Sequence, residues 1–486
     1  MNRINYYSIL IRVHVLLMAI TLLGSLYVIV IGAYDYLIAF LTIPLVNILL
    51  LPITKKDEKF DPTHPILMIL VSLMIGTVLR SFFIFSPLQS DAKFLMLMGK
   101  PPSVLMTGIF AIYLGIICFV VGYVYPVKPL KDWSRIGVFS NKVSLKKYYP
   151  VAIVLALISV FAAVTYFKKV GVNFSDINGI SQKRRYKVDD QGGGYAVLGY
   201  YRLCMDIIEP VYYVGLMYIL TSKKRIFSIL GLFVFMLGLL CLIYPFINSS
   251  RTNALYVLIN SGLIIYFIKG GIQWRQLFSV LAIASLVLVI MTALRQEHSQ
   301  KRSQTELEAN PLVIMVGSLN FLGVDKTSHI IAGVPDKLYY QFGESFFLWM
   351  VAPIPRTMWR EKPDISYGLV IGDKIYDKRE PDSAGGGVPP GYIAELYINF
   401  GYVGIVAGMF LLGMVLKLFY NAFRKSRDTS TYSMLLYILV FIPFSLKLIG
   451  GDASGCIVKV FSGILTITLI TKLIEIKSSG AANTRV

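Results

Sequence analysis

Charged residues are scarce in this chain. Only 15% of its 486 residues are Asp, Glu, Lys or Arg, whereas 56% are hydrophobic, and the mean hydropathy is +0.66. Soluble domains average about 25% charged residues, so the composition excludes a soluble enzyme and indicates an integral membrane protein. The net charge of +20 comes largely from Lys and Arg in short loops between apolar runs, which is typical of membrane topology signals. We therefore expect membrane lipids, and no nucleic acid, among its partners.

Cysteine and histidine are also rare. The four cysteines contain no C-x-x-C pair, so neither a disulfide framework nor a metal cluster is indicated. No spacing of His, Cys and carboxylates supports a metal site, and no G-x-x-x-x-G-K-[ST] motif indicates ATP binding. We therefore expect no metal and no cofactor. Two of the histidines, His298 and His329, have the chemistry for proton transfer at neutral pH, although lone histidines are more often surface or structural residues.

Long apolar runs dominate the rest of the sequence. A bilayer core of roughly 30 Å needs about 20 apolar residues per helix. Runs of suitable length lie at 9–30, 36–53, 66–86, 104–126, 150–168, 203–221, 226–247, 253–268, 277–294, 393–420, 433–449 and 455–475. The predicted fold class is an all-α integral membrane protein with about twelve transmembrane helices. The first run has no small-residue cleavage site after it, so we interpret it as a retained helix rather than a signal peptide.

The distribution of Lys and Arg predicts the orientation. With the N-terminus in the cytoplasm, most loop cations lie inside, although the outward loop 169–202 is also basic. Both termini are then cytoplasmic. The chain divides into residues 1–294, with nine predicted spans and the outer loop 169–202; a large periplasmic loop at 295–392; and residues 393–486, with three spans and a cytoplasmic tail. Short helices are expected in the large loop at 311–322 and 339–351.

Three cations lie near the predicted outer ends of spans. Arg251 is in the tight hairpin NSSRTNAL, Arg295 follows VLVIMTAL, and Lys447 is in FIPFSLKLIGG. A charge at the centre of a membrane helix costs about 2.5–3.5 kcal/mol on insertion scales, so such residues usually face a cavity or a partner. The alternative is that each side chain snorkels to the interface. Because all three converge on one leaflet, we favour a shared anion site.

The segment PIPRTMWREKPD at 353–364 carries further cations. Arg356 and Arg360 have guanidinium groups, which suit bidentate phosphate binding, and Trp359 is suited to the headgroup level. The alternative is an ordinary interfacial loop whose cations contact lipid headgroups.

A glycine-rich run, GGGVPPG, precedes the helical pattern YIAELYINFGYVG. We interpret the run as a hinge. The helix after it places Glu395 and Asn399 on one face, because they are four residues apart, with Tyr392 three residues before Glu395. Glu395 has the chemistry of a general base, or of a buried carboxylate paired with an Arg. Asp452, in GGDASG, lies at the outer end of another hairpin.

These features together resemble the Wzy-type O-antigen and oligosaccharide repeat-unit polymerases. The resemblance rests on the number of spans, on S-R-T-N at 250–253 and on Arg295 at a span end. It also rests on P-R-x-x-W-x-x-K-P at 355–363 and on G-Y-x-x-E-x-Y-x-N-F-G at 391–401. It covers most of the chain in layout but only short stretches in motif.

The resemblance implies a metal-independent glycosyltransferase with a GT-C-like architecture in the bacterial inner membrane. Such enzymes transfer a glycan from undecaprenyl pyrophosphate to the non-reducing end of another lipid-linked repeat unit at the outer leaflet, and a chain-length regulator protein is a possible partner. The residues expected to bind pyrophosphate are Arg251, Arg295, Arg356, Arg360 and Lys447. Those expected to contact glycan are Trp359, Tyr392, Tyr397 and Asn399. For the general base the first candidate is Glu395, followed by His298, His329 and Asp452.

Two alternatives remain open from the sequence. O-antigen ligases share the architecture and typically have a catalytic histidine in the long outer loop, so His298 or His329 keeps that possibility. A flippase or transporter for lipid-linked oligosaccharides would show internal repeats and short outer loops, and neither is clear here.

Overall fold

The structure is a computed structural model of the whole chain. The residues that it describes are 6–54, 61, 63–85, 102–127, 145–170, 201, 204–221, 228–247, 251–269, 316, 320–354, 358–359, 361–376, 387–423 and 431–474.

The described residues form helices and contain no strand. In the first part of the chain the helices are α1 (Tyr6–Val30), α2 (Asp35–Phe40), α3 (Pro44–Leu50), α4 (Pro65–Leu73), α5 (Arg80–Ile84), α6 (Pro102–Val124), α7 (Leu145–Val170), α8 (Ile208–Thr221), α9 (Ile229–Ile247) and α10 (Arg251–Lys269). They continue with α11 (Val324–Ala332), α12 (Glu344–Phe347), α13 (Tyr367–Lys374), α14 (Tyr392–Phe423), α15 (Thr431–Leu436), α16 (Ile442–Gly450) and α17 (Ala453–Ile474). Short 3-10 or π segments at Leu51–Ile53, Met74–Leu79, Leu348–Val351 and Tyr437–Phe441 extend neighbouring helices.

Most of the predicted spans coincide with these helices. Within the described ranges, 9 helices are long and apolar enough to cross a membrane, and the shorter apolar helices at Ile229–Pro245 and Tyr256–Lys269 match the predicted spans 226–247 and 253–268. The predicted span 277–294 lies outside the described residues. The all-α, multi-pass membrane fold is therefore confirmed.

Helix α14 differs from a simple span because it folds back on itself. Phe400 (φ −142°, ψ 20°) and Gly401 (φ 60°, ψ −149°) leave the helical conformation, and Gly401 adopts the left-handed region that favours glycine. A Cβ atom at either Gly404 or Gly408 would overlap Leu396. In a straight helix Leu396 and Gly408 would be about 18 Å apart. The segment before the bend therefore packs antiparallel to the segment after it, and the two glycines permit the close approach.

Two hydrophobic cores fill the bundle. The first is built by α2–α6, α11, α13 and most of α14. The second is built by α7–α10, α15 and the C-terminal part of α17. The pair α16–α17 joins them: Leu448, Ile449, Ala453 and Cys456 belong to the first core, and Ile467 and Ile470 to the second.

The described residues of the loop 295–392, which we call the insert, pack at one end of the bundle, and we call this end the insert end. The expected helix at 311–322 falls mostly outside the described residues, but its last residues 320–322 form a turn instead, and a helix begins only at Val324. The expected helix at 339–351 begins later, at Glu344, because Phe342 (φ 45°) and Gly343 (φ 98°) are left-handed. Trp349 in this segment stacks on Phe461 of α17 at 5.1 Å between ring centroids.

Candidate functional site

A turn at 450–453 joins α16 to α17 at the insert end, and several segments converge on it. Asp452 is partly exposed and caps α17, since its Oδ1 accepts the N–H of Gly455 at 2.6 Å. Its Oδ2 accepts the hydroxyl of Ser366 at 2.9 Å. The N–H of Gly391 donates to Gly451 O at 2.8 Å. The turn therefore holds the segments before α13 and α14 in fixed positions.

Glu395 and Asn399 brace the same turn from the folded-back part of α14. Glu395 has no exposed surface. Its Oε2 accepts the N–H of Ala453 at 2.7 Å, and its Oε1 accepts the hydroxyl of Ser345 at 3.0 Å. The amide of Asn399 donates to Glu395 O at 2.7 Å and to Ser345 Oγ at 2.8 Å, and it accepts the N–H of Gly343 at 2.8 Å. The two predicted residues therefore do share one face, and they connect α14 to α12 and α17.

A buried lysine contacts the turn from the other side. Lys326 on α11 has no exposed surface, and its Nζ donates to Gly450 O at 3.0 Å and to Phe321 O at 3.1 Å. Beside it, Arg80 Nη2 and Asp325 Oδ2 form a fully buried ion pair at 2.8 Å. Burial, followed by the charge of Arg80, lowers the pKa of Lys326 to about 7, against the opposing effect of Asp325.

Lys447 lies where the two cores meet. It is half-buried, and its Nζ lies 4.2 Å from the ring centroid of Tyr256, a cation–π distance. Asp206, Glu209 and Lys459 act on it electrostatically. Charged groups thus gather around Lys447 of α16. They come from α17 and from the chain at and just before the start of α8.

Cys456 relates the carboxylates of the turn to the cations near it. Cys456, in the first turn of α17, is within electrostatic range of Asp452, Glu395, Lys447 and Lys459. Its N–H donates to Asp452 O at 3.2 Å. Both carboxylates and cations therefore lie near the first turn of α17.

Several predicted residues lie outside the described part of the chain, namely Arg295, His298, Arg356 and Arg360. Arg251 begins α10, one turn before Tyr256, but its side chain is not described. This places the start of α10 near Lys447, and all the phosphate-binding assignments stay predictions.

The PIPRTMWREKPD segment is partly described. Trp359 is 39% exposed. Lys362 is buried and donates to Ala352 O at 3.1 Å and to Ile354 O at 2.8 Å. Lys362 thus links the end of this segment to residues 352 and 354, and its ammonium group binds backbone carbonyls rather than solvent.

The remaining aromatic and histidine candidates pack against rings. His329 stacks on Tyr376 at 4.7 Å between centroids. Tyr392 lies 6.3 Å from Phe346, and Tyr397 lies 5.1 Å from Tyr402 in an edge-to-face arrangement. Within the described ranges, no group of three or more His, Cys, Asp or Glu residues is placed to hold a metal ion.

Sequence reasoning missed several members of the site. Arg80 had a detectable signal, because it is a cation inside an apolar run, as Lys447 is. Lys326, Ser345 and Ser366 lie in ordinary polar stretches, and no local pattern distinguishes them. Their roles depend on partners up to 124 positions away, as with Lys326 and Gly450.

A comparison with known protein families covers nearly the whole chain. A family model described as O-antigen polysaccharide polymerase Wzy matches residues 9–478, a range that includes both cores, the insert and the turn. No curated protein and no solved structure matches the chain. The resemblance noted from the motifs is confirmed. This multi-pass membrane protein belongs to the O-antigen polysaccharide polymerase Wzy family and is a repeat-unit polymerase of polysaccharide biosynthesis.

Proposed function

We propose that the protein is a metal-independent glycosyltransferase acting at the outer face of the bacterial inner membrane. It transfers a glycan from undecaprenyl pyrophosphate to the non-reducing end of another lipid-linked repeat unit. The bond between the anomeric carbon and the phosphate oxygen breaks, and a bond to the acceptor hydroxyl oxygen forms. The lipid pyrophosphate leaves with the electron pair, and the hydroxyl proton passes to a base. The observation that carries this proposal is that Asp452, in the turn 450–453, and Lys447, in the last turn of α16, lie at the same end of the bundle.

Asp452 is the carboxylate best placed to take the proton. Both carboxylates accept hydrogen bonds from the protein, but Asp452 is partly exposed, whereas Glu395 has no exposed surface. A general base must come within hydrogen-bond reach of the proton that it removes. We therefore assign the role of general base to Asp452, and to Glu395 the role of holding the turn 450–453 in position. The sequence alone places Glu395 ahead of Asp452 among the candidate bases.

Lys447, in the last turn of α16, and Lys459, on α17, would stabilise the departing pyrophosphate. Preorganised cations at developing negative charge are among the largest contributions to catalysis. Arg251 at the start of α10, with Arg295, Arg356 and Arg360, would complete this binding site, and Trp359, Tyr392, Tyr397 and Asn399 would line or support the glycan path. Both termini would be cytoplasmic, with the insert end in the periplasm, as the distribution of loop cations favours. A chain-length regulator is a further proposed partner.

The first test is a gel profile of surface polysaccharide from cells that lack this protein. A long ladder that collapses to a single capped repeat unit supports the polymerase. Normal-length glycan that accumulates on its lipid carrier would indicate a ligase, and repeat units trapped on the cytoplasmic leaflet would indicate a flippase.

The cationic part of the site is tested in the same cells by complementation. Arg251→Ala, Arg295→Ala and Lys447→Gln should each abolish or shorten the ladder at unchanged membrane content. Lys472→Gln, at the other end of α17, is the matched control and should restore the full ladder. Full-length product from all three site variants at equal expression would refute the pyrophosphate site.

A further inference from the structure

Tyr367, the first residue of α13, is a buried side chain that neither the sequence motifs nor the proposed chemistry uses. It is 4% exposed, and its hydroxyl has no hydrogen-bond partner among the residues that the structure describes. A buried polar group without a partner costs about 1–3 kcal/mol, and most buried polar groups in proteins are paired. Such a hydroxyl is therefore available to a bound ligand.

The backbone on both sides of Tyr367 is held in place. Ser366 donates its hydroxyl to Asp452. Gly368 O accepts the N–H of Val388 at 2.7 Å, and a Cβ at Gly368 would approach Pro389 N to 3.0 Å. The tyrosine is thus fixed between two anchored neighbours, one of which contacts the proposed base.

The surroundings of the hydroxyl are acidic. Glu344 and Glu395 act electrostatically on Tyr367, and burial followed by these two charges raises its pKa. The phenol therefore stays protonated and available as a hydrogen-bond donor. Neighbouring carboxylates repel a phosphate group but accept hydrogen bonds from a neutral polyol.

We propose that Tyr367 binds a neutral sugar oxygen of the acceptor repeat unit, next to the hydroxyl that Asp452 deprotonates. This inference rests on the proposed function. It divides the site into an acceptor subsite formed by α13 and the turn 450–453, and a donor pyrophosphate subsite around Lys447. The acceptor is a neutral oligosaccharide at this point, whereas the donor presents its anionic group to the lysines.

The test uses the full-length protein in nanodiscs with Tyr367→Phe, which removes only the hydroxyl. The donor is radiolabelled lipid-pyrophosphate-linked repeat unit extracted from cells that lack the protein. The acceptor probe is the repeat-unit oligosaccharide released from its lipid by mild acid, which carries no phosphate. Initial rates are measured with each substrate varied in turn.

We expect the KM for the free oligosaccharide to rise about tenfold, the effect of one lost hydrogen bond, while the KM for the donor changes less than twofold. The thermal midpoint should not fall, since the hydroxyl has no hydrogen-bond partner to lose among the described residues. The matched control is Tyr148→Phe in the other core, whose buried hydroxyl donates to Val211 O at 3.1 Å. This control should lower the thermal midpoint and leave both KM values unchanged.

Three results would overturn the inference: an unchanged KM for the oligosaccharide, a rise confined to the donor KM, or a fall in thermal midpoint that accounts for the lost activity. A wild-type protein that transfers nothing from the lipid donor would instead contradict the proposed function. In that case, equilibrium binding of the labelled free oligosaccharide to wild type and Tyr367→Phe still decides the role of Tyr367. Equal affinity would refute it.

Discussion

Both ends of the helix bundle contain polar side chains, but the interactions that these side chains form differ between the two ends. At the end opposite the insert, Tyr420 donates its hydroxyl to Asp61 Oδ2 at 3.1 Å, and Tyr437 donates to Thr63 O at 2.7 Å. Nearby, the Nε2 atom of His64 lies 2.9 Å from the Tyr123 hydroxyl. His64 Nδ1 also accepts the N–H of Ile66 at 3.3 Å and so caps α4.

This opposite-end cluster links the two cores. Tyr123 belongs to the first core, whereas Tyr420 and Tyr437 belong to the second. Its hydroxyls are paired with groups on the facing helices, as expected of a network that stabilises packing. The insert end instead contains a buried ion pair, a buried lysine and a partly exposed carboxylate. It also contains the hydroxyl of Tyr367, which has no hydrogen-bond partner among the described residues. We therefore expect the opposite end to hold the bundle together, whereas under the proposed function the insert end binds the substrates and reacts.

The largest expected effect is on catalysis at Asp452. Asp452→Asn should lower the rate of polymerisation about 10²–10⁴-fold, the usual contribution of a general base, because the amide does not take up the proton. Asn is as good a helix cap as Asp, so α17 should remain intact. The rate is measured with lipid-linked repeat units and the purified protein.

The matched control for this variant is Asp61→Asn at the opposite end. It should reduce the thermal midpoint modestly and retain polymerase activity. Equal losses of activity from both variants would remove the distinction between the two ends.

The second effect concerns the buried ion pair. Arg80→Met leaves Asp325 buried without its partner, which costs about 3–5 kcal/mol, so we expect a low yield and a lower thermal midpoint in detergent. The double variant Arg80→Met/Asp325→Leu should recover part of the loss, since it removes both charges. If the single variant melts like wild type, the pair does not stabilise the insert end.

The third effect is a pH dependence of stability from Lys326. Its folded pKa of about 7 lies below the ordinary value of 10.5, so between these values the unfolded chain binds a proton that the folded chain does not. Stability should therefore rise with pH from 7 towards 10, by at most about 1.4 kcal/mol per pH unit.

Lys326→Met should flatten this rise, which is measured as thermal midpoint against pH from 7 to 9. The exposed Lys337 offers the control, since Lys337→Met should keep the wild-type slope. An identical slope in wild type and Lys326→Met would mean that Lys326 does not titrate in this range.

The smallest effect is at the opposite end. Tyr437→Phe removes the hydrogen bond to Thr63 O and should cost about 1 kcal/mol, with polymerisation unchanged. Thermal unfolding and the polysaccharide ladder are compared with wild type. A shortened ladder would show that this end also contributes to the reaction.

Much of the fold was predictable because each transmembrane helix satisfies its own backbone hydrogen bonds. The start of α10 at Arg251 and the α16–α17 hairpin at Asp452 followed from the lengths of the apolar runs. The fold-back of α14 did not, because 393–420 is continuously helical and apolar in pattern, and only the contacts of Leu396 with Gly404 and Gly408 reveal the bend.

Part of the candidate site was also predictable from the sequence. Glu395, Asn399, Asp452 and Lys447 were identified because polar groups beside apolar runs are conspicuous in a sequence.

The amino-acid sequence by itself determined the class of protein, the spans and the family, since these depend on composition, local periodicity and short motifs along the whole chain. Only the tertiary structure decided which polar groups meet. Arg80 and Asp325 are 245 positions apart, and Ser366 and Asp452 are 86 apart. Such pairings depend on how the helices pack, and helix packing depends on the shapes of many side chains at once rather than on any local pattern.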